Sequence, residues 1–203
     1  MFKLVIFDLD GVLVDACEWH RVALNEALKE ICDYEISLDD HYREYNGIPT
    51  SVKLDKLAEK GIMKEDQRAS VYDLKQKKTK LLIARNAPIR QEKIDLINWL
   101  KSKDMKVACF TNSIRETAEL MLKRTGVYDL FDMVVTNQDV EKPKPDPEGY
   151  LQVLNYFNIS PKNSIIVEDS PKGRAAARAS GCHVLQVENP DGVGLELFEE
   201  HIL

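Results

Sequence analysis

Two aspartates two residues apart, Asp8 and Asp10, close an apolar run (Leu4–Asp10, LVIFDLD) and are followed at once by Gly11. Side chains alternate across an extended chain, so this spacing brings both carboxylates to one side, where like charges raise each other's proton affinity. A hard divalent cation with oxygen ligands, Mg2+ above all, relieves that repulsion, and Gly11 lets the backbone turn sharply beside it. Far downstream, Glu168-Asp169 adds two more acids, Thr111 a hydroxyl, Asn112 and Ser113 amide groups at an expected helix start, and Lys142 a compact positive charge. A cation held by acids, flanked by anion-binding amides and a lysine, suits chemistry on a phosphoryl group. In that chemistry one carboxylate attacks phosphorus to form an aspartyl phosphate, while a second carboxylic acid protonates the departing alkoxide and later activates water. Asp8 and Asp10 match those two roles.

These residues need a frame that brings them together. The run from Leu4 lacks period-2 polarity, as a strand covered on both faces does. Lys106–Phe110, Met133–Thr136, Ser164–Val167 and His183–Val187 read as four more short strands, separated by helical periodicities. Ser113 with Glu116 fits a capping box for a helix over 114–123, Gly126 suits its end, and Asp146-Pro147 suits the start of a helix through Phe157. Strands alternating with helices imply an α/β fold, a Rossmann-like parallel sheet sandwiched by helices, with polar groups gathered at the carboxyl ends of the strands. Between the first strand and the rest, residues 15–85 keep a 3.6-residue period and read as an inserted helical module; 1–14 and 86–203 form the α/β domain. Within the module, Lys75, Lys77, Lys78 and Lys80 read for the most part as a solvated helix face.

The 203 residues carry 28 Lys+Arg against 34 Asp+Glu, a net charge of −6, which gives no basic footprint for nucleic acid or an anionic membrane. Cys17, Cys32, Cys109 and Cys182 form no C-x-x-C pair and read as small buried hydrophobes in a reducing compartment. The first apolar run is broken at Asp8, which fits neither a signal peptide nor a membrane span. A cytoplasmic protein, a monomer or a weak dimer, is the expectation.

The four segments D-L-D-G-V at Asp8, T-N at Thr111, K-P-K-P-D at Lys142–Asp146 and E-D at Glu168, in that order, resemble the motifs of the haloacid dehalogenase superfamily of phosphotransferases. The resemblance spans nearly the whole chain, and the helical module is similar to the family's C1 cap. It implies Asp8 as nucleophile, Asp10 as acid and base, and Thr111 and Lys142 as phosphate binders, with Lys144 at a variable position. It also implies Mg2+ held by Asp8, the backbone carbonyl of Asp10 and Asp169, with Glu168 nearby. The stretch Asp15–His20 and the cap spacing resemble the beta-phosphoglucomutase-like subgroup of phosphatases and mutases. Where the mutase has an arginine after a cap glycine, this chain reads Gly47-Ile48-Pro49-Thr50, and its second motif is Thr111-Asn112-Ser113, as in many phosphatases. The resemblance therefore implies hydrolysis of a small phosphorylated metabolite, with a phosphosugar mutase as the alternative and a phosphorylation-dependent binding module as the reading of another class. His20 and Thr50 are candidate substrate contacts; a half-buried surface histidine and an ordinary helix start are the competing readings.

Overall fold

Leu4–Phe7 (β1) is buried at every position, and it forms the middle of the sheet because each of its residues finds an apolar or hydrogen-bonded neighbour on both edges. A computed structural model describes residues 1–202. Lys106–Phe110 (β2), Met133–Val135 (β3), Ser164–Glu168 (β4) and His183–Gln186 (β5) complete a five-stranded, all-parallel sheet in the order β3-β2-β1-β4-β5. Phe7 stands beside Cys109 on one edge and Val167 on the other, so the residues that follow β1, β2 and β4 leave the sheet at one rim. The order of strands reverses at β1, and it is outside the carboxyl ends at such a reversal that parallel sheets place their sites.

Contacts divide the chain into two units, residues 16–87 and residues 1–15 with 88–203. The first contains Cys17–Cys32 (α1), the short Leu38–Asp40 (α2) running into a π-helical turn His41–Tyr45, Thr50–Glu59 (α3) and Arg68–Asn86 (α4). Leu24, Ala27, Leu28, Tyr45, Leu54, Leu57 and Val71 make its core. Asn25 ties α1 to the loop before α2 by exchanging both backbone bonds with Ile36, at 3.0 and 3.1 Å.

The second unit adds Gln91–Ser102 (α5), Arg115–Arg124 (α6), Glu148–Phe157 (α7), Pro171–Ala179 (α8) and Leu195–Ile202 (α9) to the sheet. Leu4, Ile6, Ala108, Phe110, Val135 and Ile166 pack with Tyr150, Val153 and Leu154 of α7 and Ala176 and Ala177 of α8. Alternation sends Val5 and Phe7 to the opposite face, where Phe7 meets Phe198 of α9 at 5.9 Å and Phe131 at 6.4 Å between ring centres. The helix α9 was not anticipated by the sequence reading.

Two local readings are corrected. The strand ends at Phe7, not Asp10: Asp8 adds one more ladder bond, and the Leu9 carbonyl then accepts the amides of Leu13 and Val14, both at 3.0 Å, so the chain turns from Leu9 onward. The capping box does not form, because α6 starts at Arg115 behind Ile114 and the Ser113 hydroxyl is given to Asp10 at 2.8 Å. Among the described residues no helix is long and apolar enough to cross a membrane, and all four cysteines are free thiols.

Candidate active site

Asp8 takes the first position beyond β1, where its amide donates to the Val167 carbonyl at 3.0 Å and continues the β1–β4 ladder by one residue. This fixes the root of a side chain that is 7% exposed. Its Oδ1 accepts from Lys144 Nζ at 2.7 Å, and the same ammonium donates to Glu168 Oε1 at 2.5 Å and to the Phe110 carbonyl at 2.8 Å. All three ammonium donors are thus used, with the Phe110 and Tyr150 rings 4.8 and 5.1 Å from the nitrogen. Burial would push Lys144 towards neutrality, but Asp8 and Glu168 outweigh it and hold the ammonium above its ordinary range.

Glu168, the last residue of β4, is fully buried, and its Oε1 also accepts the Tyr150 hydroxyl at 2.7 Å. Its other oxygen faces the Ser170 amide and hydroxyl at 3.4 Å, at the start of α8, where the aligned peptide dipoles favour an anion. Gly173 is required here, since a Cβ at that position would fall on the Glu168 carboxylate. Gly11 has φ +89°, and a Cβ there would collide with the Asp169 carboxylate, so this glycine allows both the turn and the close approach of the two loops. Asp169 is held through its carbonyl by the Arg174 guanidinium, while its buried Oδ1 accepts no hydrogen bond.

Carboxylate oxygens of Asp8, Glu168 and Asp169 lie within 4.8 Å of one another. Three carboxylates against the single Lys144 ammonium leave a formal excess of two negative charges, and one buried oxygen lacks a partner. That donor set fits a hard divalent cation. The electrostatics agree: burial and then Glu168 push Asp8 well above the usual carboxylate range against the pull of Lys144, and the same two causes push Asp169 up to about 7.

A proton bound more tightly in the folded than in the unfolded chain makes stability fall as pH rises between the two pKa values, here from 3.8 to about 7 for Asp169. A cation that competes with this proton therefore stabilises more at high pH. The melting-temperature gain from Mg2+, measured against chelator-treated protein, is expected to be larger at pH 7.5 than at pH 5.5. An equal gain at both values would remove these acids as its ligands.

The Asp10 carboxylate is not one of the three clustered acids; the metal contact expected of this residue is its backbone carbonyl. Its Oδ2 accepts the Ser113 hydroxyl at 2.8 Å and the Thr111 hydroxyl at 3.3 Å, and Thr111 Oγ1 in turn accepts the Ser113 amide at 3.0 Å. A correction concerns the lysine. Lys142 is exposed, and its amide donates to Glu148 Oε2 at 2.9 Å; Lys144, read as the variable position, is the residue that reaches Asp8. Asn112 helps to decide this, because its carboxamide accepts the Lys144 amide at 3.0 Å and donates to the Lys144 carbonyl at 3.2 Å. Its side chain is thus a clamp on the lysine loop. A signal was present: a lysine, two alternate prolines and an acid occur in two frames, Lys142–Asp146 and Lys144–Glu148, and only the second puts its acid at the first residue of α7.

Tyr150 and Arg174 were also missed, since neither carries a local pattern that separates it from an ordinary helix residue. His20 and Thr50 lie in the helical unit. His20 Nδ1 is 3.2 Å from Lys75 Nζ, and Thr50 opens α3. Lys75 is 3% exposed and so departs from the solvated face expected for its run, whereas Lys77 is exposed as expected and Lys78 is half-buried, with Glu26 at 3.2 Å and Glu30 at 3.4 Å.

A family model described as haloacid dehalogenase-like hydrolase matches residues 5–187. The chain is similar to a phosphoglycolate phosphatase of Nitrosospira multiformis, at 30% identity over 97% of this chain and 88% of that protein. It is also similar to a phosphorylated carbohydrates phosphatase of Thermotoga maritima, at 31% identity over 88% of this chain and 82% of the other. A crystal structure of beta-phosphoglucomutase from Clostridium difficile matches with a TM-score of 0.83, covering 98% of this chain and 96% of that one; at 23% identity this likeness is one of fold.

Proposed function

Because the chain belongs to the haloacid dehalogenase-like hydrolases, we propose that it is a Mg2+-dependent phosphatase that hydrolyses a small phosphorylated metabolite, a sugar phosphate or a similar ester, through an aspartyl phosphate on Asp8. The observation that carries this reading is the Asp8 carboxylate, rooted in the sheet and held by a buried lysine 2.7 Å away, beside an acid cluster with an excess of negative charge.

On this reading Asp8 attacks phosphorus as the P–O bond to the alcohol breaks, and the carboxylic acid of Asp10 gives its proton to the departing alkoxide. Asp10, now ionised, takes a proton from water as the water oxygen attacks the same phosphorus, and the Asp8–phosphorus bond breaks to release inorganic phosphate. The hydroxyls of Thr111 and Ser113 orient the Asp10 carboxyl group. Lys144 holds Asp8 in one rotamer and offsets negative charge near it. Bound Mg2+, with Asp8, Asp169 and their neighbour Glu168 as its acids, would counter the charge of the phosphoryl group. The helical unit, with Thr50 and His20, is on this reading a cap that selects substrate. Action in the cytoplasm suits the four free thiols.

Hydrolysis of an aryl phosphate with Mg2+ and its loss with a chelator is the expected result, and equal rates in both conditions would remove the metal-dependent mechanism. Incubation with a hexose 1-phosphate and a trace of bisphosphate separates the mutase reading. Free phosphate should form faster than hexose 6-phosphate, and the reverse order would replace hydrolysis by isomerisation.

A further inference from the structure

Another buried lysine lies in the α/β unit, away from the acid cluster. Lys93, in the first turn of α5, is 1% exposed, and its ammonium donates to the carbonyls of Pro190 and Val193, each at 2.5 Å. Those carbonyls bracket a short 3-10 turn (Pro190–Gly192) that Asn189 already caps, accepting the amides of Asp191 at 3.0 Å and Gly192 at 3.3 Å. The turn leads directly into α9, whose Phe198 is fully buried against Phe7, the residue before Asp8. A charge 97 residues away in sequence therefore holds the turn that precedes the last helix, and Phe198 of that helix packs against the last residue of the strand before the candidate nucleophile.

We propose that Lys93 is a positioning residue for the reaction: its ammonium staples the 190–193 turn, and through Phe198 and Phe7 the staple fixes the root of Asp8. The proposal rests on the phosphatase reading only in naming Asp8 as the group that benefits.

The staple needs the charged form, because a neutral amine donates more weakly to a carbonyl and carries no countering charge. Three charged groups face Lys93. Arg90, just before α5, bonds Asp191 of the turn at 2.8 Å and also pairs with Glu92, while Glu92 is 3.9 Å from the ammonium. Burial and then Arg90 pull Lys93 down to about 8, against Glu92 and Asp191. In the folded chain the Lys93 ammonium gives up its proton near that value, so the charged staple is lost on the alkaline side even though global stability rises with pH there, the unfolded lysine holding its proton longer.

The test uses the full chain with three substitutions: Lys93→Met, which keeps the stem and removes the charge; Lys93→Arg, which keeps a charge to high pH; and Phe198→Leu. Amide exchange is read by NMR at Phe7, Asp8 and Val193. In Lys93→Met, exchange at all three should be faster by about tenfold or more, with kcat on an aryl phosphate down by a similar factor and KM within about twofold. Phe198→Leu should loosen Phe7 and Asp8 while leaving the alkaline fall of kcat where it is in the wild type. Lys93→Arg should move that fall to higher pH.

Faster exchange confined to Val193, with Phe7 and Asp8 unchanged, would overturn the proposal by showing a local latch. An alkaline fall at the same pH in Lys93→Arg would overturn it as well. Absence of hydrolysis by the wild type would strike the phosphatase reading alone, because the exchange measurement needs no turnover.

Discussion

Asp8→Asn is expected to lower kcat on any phosphate ester by about ten-thousand-fold or more, and to raise the melting temperature of chelator-treated protein by a few degrees. The two effects share one cause. The amide keeps the size and rotamer of the carboxylate but cannot supply the attacking oxygen. It also removes one of the negative charges that crowd Glu168 and Asp169, where burial and Glu168 already push the Asp8 carboxyl group well above its usual range. Lys144 retains Glu168 at 2.5 Å and the Phe110 carbonyl at 2.8 Å, so the lysine is not orphaned by the change. A site that is more stable once disarmed is a mark of function placed against stability. Wild-type turnover by the purified variant would remove Asp8 as nucleophile. An unchanged melting temperature would show that the acid cluster costs the fold nothing.

Lys144→Met should be the most destabilising single change at the rim. It leaves Asp8, Glu168 and the Phe110 carbonyl without their shared donor in a site where Glu168 is fully buried. Breaking a buried pair from one side costs about 3–5 kcal/mol, or about 10 °C in a chain of this size. The loss should shrink as pH is lowered towards 5, because the abandoned Asp8 carboxylate, already pushed up by burial and Glu168, then takes up a proton, and turnover should be lost at every pH. Lys142→Met is the control. Lys142 is exposed, and its amide, which the substitution keeps, makes its contact with Glu148, so stability should move by no more than about 0.5 kcal/mol. Thermal melts and kinetics on the pair decide the matter. A large effect from Lys142 and a small one from Lys144 would reverse the assignment drawn from the geometry.

This pair of lysines also marks the boundary between what is legible in the chain and what is not. The five strands were readable because a strand covered on both faces must be an unbroken apolar run, and LVIF, KVACF and SIIV stand out against their polar surroundings. Their parallel order followed from the intervening helices. The polar residues at the strand ends were readable for the same reason, since Asp8, Thr111 and Glu168 interrupt or end apolar runs at places where nothing apolar is served. The acid cluster then forms from Asp8, Glu168 and Asp169, three of the four acids named from sequence. What failed was the direction of individual side chains where the backbone is irregular. Strand alternation brings Asp10 near Asp8, and its charge does raise the proton affinity of Asp8 and Asp169, but the strand ends at Phe7 and alternation does not reveal that the Asp10 carboxylate is held by the Ser113 and Thr111 hydroxyls. The spacing of Ser113 to Glu116 fits a helix cap, yet its hydroxyl lies nearer a better acceptor, the Asp10 carboxylate at 2.8 Å.

The sequence by itself determined the sheet, the helical insertion and the acids at the rim, because burial and periodicity are properties of a short stretch of chain and need no knowledge of what packs against it. Only the tertiary structure decided which lysine serves Asp8. Lys142 and Lys144 sit in overlapping copies of one pattern, two residues apart in a segment with no regular period, so local preference treats them alike. Asn112 grips the backbone of Lys144 from 32 residues away, Glu148 grips the amides of Glu141 and Lys142, and Glu168 and Asp8 offer an ammonium its acceptors at one point of the rim. The choice is made by hydrogen bonds between segments distant in sequence, and these exist only once the sheet has brought those segments together.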